Sequence, residues 1–345
     1  MVDGAAFSFD PLILALVFAM AAIVSAGLIV ALHPLLVRYA LARPNARSSH
    51  RTPTPQGGGI AVIGAIILCV AAAALLEPTG SGAPYSLAVI FAAAVALAVV
   101  GAIDDIRPIE AIPRLILQAV VVAMTLVVLP PVLPALPMLP AWAERALLFV
   151  GLLWFVNLTN FMDGIDWMTV VEAAPVSAAL ALFGLAGGLP PDATLVALAL
   201  CGAIIGFAPF NRPVARLFLG DVGSLPVGLL LGWLLILLAA HGHLAAALLL
   251  PLYYLADATI TLLRRSAKGE KLMEAHRSHF YQHALDHGWS VYRIVGSVFA
   301  LNVALAALAA STFLTGALSL HLAALAAGGL LVALLLIAFA RAKKC

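Results

Sequence analysis

Residues 11–37 read PLILALVFAMAAIVSAGLIVALHPLLV, an apolar run without one Asp, Glu, Lys or Arg. A helix that crosses the hydrocarbon core of a bilayer needs about 20 mostly apolar residues, so this run predicts a transmembrane helix. The residues before it include Asp3 and Asp10, whereas a cleavable signal peptide begins with basic residues. We therefore expect the first helix to remain in the membrane.

The rest of the chain has the same character. Of its 345 residues, 64% are hydrophobic and 10% are charged, against about 25% charged in ordinary soluble domains. This composition excludes a soluble enzyme, a disordered protein and a nucleic-acid-binding protein. It predicts an all-α polytopic membrane protein, one domain over 1–345, with eleven apolar segments at 11–37, 57–76, 85–103, 113–130, 143–156, 172–187, 193–209, 222–240, 244–263, 291–313 and 317–340.

The basic residues define the orientation. If the eleven helices alternate in direction, 17 of the 18 Lys and Arg residues fall on one side, and only Arg145 falls on the other. Since positively charged loops stay inside, that side is predicted to be cytoplasmic, with the N-terminus outside and the C-terminus inside. The most basic segment, 264–290, is expected to be a cytoplasmic loop, and it contains HRSH at 276–279.

The polar residues fall on the same side as the basic ones. Asp104 and Asp105 end the apolar run VALAVVGAIDD, where an acidic pair is either a solvated helix end or part of a site. Four amide or carboxyl side chains then recur at three-residue steps in NLTNFMDGID, namely Asn157, Asn160, Asp163 and Asp166. This spacing places them on neighbouring positions of one helix face. Their oxygens are ligands that Mg²⁺ prefers, and a polar helix cap is the alternative.

Two further motifs have the chemistry of phosphate binding. Asp221 lies between glycines in FLGDVGS, where the backbone can approach a phosphate closely, although a plain helix cap explains it equally well. The side chains of His276, Arg277 and His279 suit a diphosphate clamp, or an anchor to anionic lipids. Together the motifs predict a phosphoryl-transfer site at one edge of the membrane.

With these motifs in view, the chain resembles the polyprenyl-phosphate N-acetylhexosamine-1-phosphate transferases, which form glycosyltransferase family 4. The resemblance runs from Ser48 to Gln282 through five stretches in the family's order: SSHRTPTPQGGGIAV, GAIDDIRPIEAIPRLILQ, NLTNFMDGIDWM, RLFLGDVGSLPVG and DATITLLRRSAKGEKLMEAHRSHFYQ. It implies a bacterial inner-membrane enzyme that transfers N-acetylhexosamine-1-phosphate from a UDP-sugar to undecaprenyl phosphate and releases UMP. The implied cofactor is Mg²⁺, or Mn²⁺ in its place.

The resemblance also implies roles by motif position. Asp221 and Asn160 are the implied metal ligands. Asp104 and Asp105 are implied to activate or orient the lipid phosphate, with Asp163 in the same acidic cluster. The implied substrate-binding residues are Asn157, Asp166, His276, Arg277 and His279. Asp166 is expected near the uracil, and the His276–His279 residues at the diphosphate or sugar. The expected partners are the two substrates and the bilayer, with no nucleic acid; a homodimer is left open.

This sequence departs from the family pattern in three places. Ile106-Arg107-Pro108 follows the acidic pair where many members carry a further acid. The three consecutive histidines of the peptidoglycan translocase are replaced by HRSHFYQ, which resembles the O-antigen-initiating branch. Trp167 stands where many members have glycine, which predicts a narrower site or a different sugar preference.

Three alternatives accompany this interpretation. The first is the phospho-MurNAc-pentapeptide translocase itself, against which the missing triple histidine argues. The second is a secondary transporter, whose ionisable residues should lie near the bilayer midplane; Asp257 is the one candidate inside a predicted span. The third is an inactive family member, although every acidic residue of the motifs is present. The sequence does not identify the sugar.

Overall fold

The computed structural model describes residues 10–42, 53–76, 83–129, 135–271 and 276–343. Residues 48–52 of the first family stretch, residues 272–275 of the basic segment, and the basic residues Arg43, Arg47, Arg51 and Lys344 lie outside this part. The helices of the described part are α1 Pro11–Tyr39, α2 Gly58–Leu76, α3 Ala83–Ile106, α4 Ala111–Val127, α5 Ala141–Met162, α6 Met168–Leu185, α7 Pro191–Phe207, α8 Asp221–Ala240, α9 Leu244–Leu249, α10 Leu252–Ala267, α11 Phe280–Asp286, α12 Val291–Phe313 and α13 Leu318–Ala340. The all-α membrane fold is confirmed.

The predicted spans correspond to these helices with one break. Among the described residues, eight helices are long and apolar enough to cross a membrane, and α4 and α7 are shorter apolar helices. The predicted span 244–263 is divided into α9 and α10 at Pro251, because proline lacks the backbone N–H that would continue the helix. Leu249 and Leu250 beside the break are buried, so the break is enclosed by protein.

Helix α8 lies at the centre of the bundle. It contacts α2, α3, α5, α6, α7 and α9, and 94% of its apolar 18-residue stretch is buried. A Cβ atom on Gly59 of α2 would lie 2.1 Å from the Cα atom of Gly223 in α8. The two glycines therefore let the backbones of α2 and α8 touch near the start of α8.

One end of the bundle collects the charged residues. Helices α1, α3, α5, α7, α10 and α13 end there, and α2, α4, α6, α8 and α12 begin there; we call it the acidic end. Every Lys and Arg in the described ranges lies at or next to this end, apart from Arg145. This agrees with the predicted charge asymmetry, and the side of the membrane stays a prediction.

The segment 264–290 was predicted to be one loop, but it contains parts of two helices. Helix α10 continues to Ala267, and α11 occupies Phe280–Asp286. The Arg265 side chain is buried and forms an ion pair with Glu270 at 2.9 Å, which fixes the chain just after α10. The HRSH residues thus precede a short helix that packs on the bundle.

Candidate active site

Asp105 connects the end of α3 to the start of α8. Its two carboxylate oxygens accept the backbone N–H groups of Asp221 at 3.1 Å and Val222 at 3.2 Å. These N–H groups have no partner within α8 and carry the positive end of its dipole. Gly220 precedes them with φ +76°, a left-handed conformation that glycine adopts without strain. Asp105, not Asp221, therefore caps α8.

A second glycine allows this approach. A Cβ atom on Gly101 of α3 would lie 2.3 Å from the carbonyl carbon and oxygen of Asp221. The backbones of α3 and α8 are thus in contact just where the acidic pair follows, which brings both acids of α3 beside Asp221.

Asp104 faces an arginine that sequence analysis counted only as a basic residue. The carboxylate of Asp104 accepts a bond from Arg114 Nη1 at 2.6 Å and one from the backbone N–H of Ile109, also at 2.6 Å. The same Nη1 atom lies 3.7 Å from a carboxylate oxygen of Asp221. Arg114 therefore places a cation between two acids of the site. Asp104 and Arg114 lie on different helices, so no helical spacing in the sequence indicated that they are in contact.

Asn160 joins the cluster from the end of α5. Its side-chain N–H group donates to the hydroxyl of Ser224 at 2.9 Å, which leaves its carbonyl oxygen for another partner. Asn157, one turn earlier, donates instead to the side-chain oxygen of Gln118 at 2.8 Å. The predicted face thus divides: Asn160 lies at the acidic cluster, whereas Asn157 lies deeper and contacts α4.

Asp163 follows α5 directly and lies close to both Asp105 and Asp166. The hydroxyl of Thr169 donates to its carboxylate at 2.5 Å. Burial raises the pKa of Asp163 to about 6, the Thr169 hydrogen bond opposes this, and repulsion from the two neighbouring acids adds to it. Asp163 therefore lies near the other acids of this cluster, and its role stays a prediction.

Asp166 and Trp167 hold the segment between α7 and α8. The backbone N–H of Ala215 donates to the Asp166 carboxylate at 3.0 Å, and the Trp167 indole N–H donates to the carbonyl of Ala208 at 2.7 Å. Trp167 has φ +63°, the backbone conformation that explains why glycine would suit this position. Its ring lies against Tyr292, with centroids 6.1 Å apart. Trp167 thus braces the loop between α7 and α8, and an effect on the width of the site stays a prediction.

The glycine-rich stretch after residue 53 supports the same loop. Gly58 and Gly59 donate backbone hydrogen bonds to Phe218 and Leu219, each at 2.9 Å, and Phe218 donates one to Pro55. Gln56 donates to the backbone carbonyl of Asp105 at 2.8 Å. The described part of the first family stretch, residues 53–59, therefore supports the FLGDVGS turn.

The helix that follows the HRSH residues docks beside the cluster through its first turn. The Tyr281 hydroxyl donates to the carbonyl of Phe161 at 3.3 Å, and a Cβ atom on Gly164 would lie 2.1 Å from that hydroxyl oxygen. Gly164 therefore lets α11 dock on the turn that carries Asp163. Burial raises the pKa of Tyr281 well above its usual value, so the phenol stays protonated as a donor.

The three predicted substrate-binding residues of this segment differ in their surroundings. Arg277 forms an ion pair with Asp286 at 2.9 Å, and His276 accepts or donates a hydrogen bond to the Ser278 hydroxyl at 2.8 Å. His279 is buried, and its Nδ1 atom lies 3.1 Å from the Asp257 carboxylate. Arg277 and His276 are partly exposed, although the Nε atom of Arg277 is buried.

The donor atoms at the cluster fit a hard divalent cation. In the described ranges, no group of three or more His, Cys, Asp or Glu side chains is placed to hold a metal ion by itself. Mg²⁺ does not need one, since it binds through one or two carboxylates together with water and substrate phosphates. The Asp221 side chain keeps 26% of its exposure, and the Asn160 side chain hydrogen-bonds its carboxyl group, so this pair is accessible to such an ion.

Comparisons with known proteins agree with this chemistry. The sequence model of the family described as glycosyl transferase family 4 matches residues 87–239. The decaprenyl-phosphate N-acetylglucosaminephosphotransferase of Mycobacterium tuberculosis is 29% identical over 294 residues, which cover 74% of this chain and 71% of that protein. The phospho-N-acetylmuramoyl-pentapeptide-transferase of Synechococcus sp. (strain JA-2-3B'a(2-13)) is 34% identical over 176 residues, 48% of each chain. The family match includes every residue of the acidic cluster.

Proposed function

We propose that this chain is a multi-pass membrane phosphosugar transferase of glycosyl transferase family 4, and that it transfers N-acetylhexosamine-1-phosphate from a UDP-sugar to undecaprenyl phosphate. The products are UMP and a diphosphate-linked lipid sugar. We place the reaction at the cytoplasmic face of a bacterial inner membrane, where the product initiates O-antigen or another cell-envelope glycan.

The observation that carries the proposal is the convergence at the acidic end. Asp104 and Asp105 come from α3, Asn160 from α5 and Asp221 from α8, and the contacts above bring these helix ends together. A lipid phosphate held at the membrane surface reaches this end from the bilayer, and a nucleotide sugar reaches it from the water. The site therefore lies where a lipid and a water-soluble substrate can meet.

The transfer is one displacement at phosphorus. An oxygen of the lipid phosphate bonds to the sugar-bearing phosphorus, while the bond from that phosphorus to the bridging oxygen breaks and its electrons leave with UMP. Negative charge on the phosphate oxygens must be balanced by cations. Arg114 is one such cation of this chain, since its guanidinium lies between Asp104 and Asp221.

Asp221 and Asn160 are the proposed holders of Mg²⁺. A bound Mg²⁺ supplies neutralisation of phosphate charge in such reactions. Asp105 positions Asp221 by capping α8, and Ser224 orients the Asn160 amide through its hydroxyl. Asp104 and Asp105 then serve to orient the lipid phosphate, with Asp163 beside them.

Two observations favour an N-acetylhexosamine over MurNAc-pentapeptide as the transferred group. The similarity to the M. tuberculosis protein covers 74% of this chain, against 48% for the Synechococcus transferase. The HRSHFYQ sequence also lacks three consecutive histidines. Neither observation distinguishes between individual N-acetylhexosamines.

A UMP-release assay tests the proposal. The purified protein is given undecaprenyl phosphate and Mg²⁺ with UDP-GlcNAc, UDP-QuiNAc, UDP-FucNAc or UDP-MurNAc-pentapeptide in turn. We expect lipid-dependent and Mg²⁺-dependent UMP from one of the first three donors. UMP from the pentapeptide donor alone would make this chain a peptidoglycan translocase, and no UMP from any donor with folded protein would refute the proposed substrates.

A further inference from the structure

Asp257 is a buried carboxyl group that the proposed reaction leaves without a role. It lies in the middle of α10, and its side chain has no solvent exposure. Burying a carboxylate costs several kcal/mol unless hydrogen bonds compensate for the lost water. Such a residue needs a structural or functional explanation.

Four donors surround this carboxyl group. One oxygen lies 3.1 Å from His279 Nδ1, 3.2 Å from the backbone N–H of Phe280 and 3.3 Å from the Thr261 hydroxyl. The other oxygen accepts the Tyr253 hydroxyl at 3.3 Å. The oxygen that faces His279 Nδ1 already accepts the backbone N–H of Phe280, so it acts as an acceptor and His279 presents a proton on Nδ1 toward it.

The second ring nitrogen of His279, Nε2, takes no part in these hydrogen bonds. Nε2 is buried and has no hydrogen-bond partner among the residues that the structure describes. A neutral imidazole with its proton on Nδ1 has a lone pair on Nε2 and is therefore an acceptor there. The ring is held between His276 and Tyr281, at centroid distances of 5.1 and 5.7 Å.

The fixed ring stands next to the acidic cluster. Tyr281, two residues further on, is bonded to the end of α5 and packs on Gly164, beside Asp163. Gln282 also accepts the backbone N–H of His279 at 3.2 Å. The ring of His279 is thus tied to α10 through Asp257, and its backbone is tied to α5 through α11.

We propose that Asp257 is a positioning residue that holds His279 with Nδ1 protonated, so that Nε2 accepts a hydrogen bond from a hydroxyl or acetamido N–H group of the transferred sugar. This inference rests on the proposed function. It assigns His279 to the sugar and not to the diphosphate, because phosphate oxygens of the ionised diphosphate have no hydrogen to donate to Nε2.

The first test reads the tautomer directly and needs no turnover. Protein labelled with ¹⁵N at its histidines gives ring-nitrogen chemical shifts by NMR, and the His279 signals are those lost in His279→Gln. We expect a protonated Nδ1 and an unprotonated Nε2 in the wild type at neutral pH. A proton on Nε2 would overturn the proposal, because that atom would then be a donor suited to phosphate.

The second test measures kinetics with the donor that the UMP-release assay identifies. Asp257→Asn replaces an acceptor by an amide of the same shape, and we expect a loss of kcat/KM of about 10²-fold, chiefly through a higher KM for the UDP-sugar, with a changed His279 tautomer. The matched control Tyr253→Phe removes a donor from the other carboxylate oxygen and should keep both the tautomer and the KM. A folded Asp257→Asn protein with wild-type KM and tautomer would refute the positioning role.

The two tests separate this inference from the function on which it rests. If the wild type releases no UMP from any donor, the proposed substrates fail, and the NMR spectrum still decides whether Asp257 orients His279. If UMP is released and the tautomer is the opposite one, the function stands and the inference fails.

Discussion

Gly101→Ala should separate the two helices that build the acidic cluster. The added Cβ atom would lie 2.3 Å from the carbonyl carbon and oxygen of Asp221, and 2.5 Å from the backbone nitrogen of Val222. These are backbone atoms, so no side chain can turn aside to relieve the contact. Since non-bonded carbon atoms are ordinarily separated by at least about 3.5 Å, α3 and α8 must move apart by about 1 Å.

A movement of that size has a consequence for turnover and another for stability. The bonds from Asp105 to the start of α8 are already 3.1 and 3.2 Å long, and they weaken or break when the helices separate. Misplacing reacting groups by about 1 Å lowers turnover by about 10²-fold. Overpacking of this kind also destabilises the fold by about 1–3 kcal/mol.

The assay is UMP release, with thermal unfolding measured on the same preparation. Gly151→Ala is the matched control, because an added Cβ atom there in α5 would have nothing within 4 Å, and it should keep both turnover and unfolding temperature. A folded Gly101→Ala protein with wild-type turnover would show that the α3–α8 contact does not position the acids for the reaction.

Three further predictions follow from the same residues. Asp221→Asn should leave the fold intact and nearly abolish UMP release, since it removes the proposed metal-binding carboxylate; near-wild-type turnover in the folded variant would remove Asp221 from the metal site. Asp163 has a pKa raised to about 6 in the folded protein, so the native state holds its proton more tightly and loses stability as the pH rises from about 4 to about 6. The unfolding temperature of Asp163→Asn relative to wild type should therefore increase between about pH 5 and pH 7, and an unchanged difference would contradict the buried-carboxyl interpretation. A reporter that is active only in the periplasm, fused after Arg265, should give no signal, whereas a strong signal would place the acidic end outside the cytoplasm.

The sequence predicted the membrane fold well because hydropathy follows directly from the solvent. Lipid cannot bond to backbone groups, so each long apolar run must form a helix, and the predicted runs did so. The exception at 244–263 is instructive, because Pro251 was visible in the sequence. A proline can be tolerated within a helix, as Pro34 and Pro226 are in α1 and α8, so its effect depends on the neighbouring helices.

The site was predicted less completely, and contacts between distant segments explain the difference. Asp104, Asp105, Asn160, Asp163 and Asp221 were predicted as site residues because their oxygen-bearing side chains lie in short motifs at the ends of apolar runs. Arg114 and Asp257 were not assigned to the site. An arginine at a helix start and an aspartate inside an apolar helix acquire their roles only from partners on other elements, namely Asp104 for Arg114 and His279 for Asp257.

The contacts of Trp167 also could not be predicted from the sequence. Its size suggested an effect on the substrate pocket, because a side chain in place of glycine fills space. The structure instead directs the indole to the carbonyl of Ala208 and the ring to Tyr292, on the loop that Asp166 also holds. The strain of φ +63° at a non-glycine residue, of order 1–3 kcal/mol, is thus offset by contacts that stiffen the loop leading into Asp221.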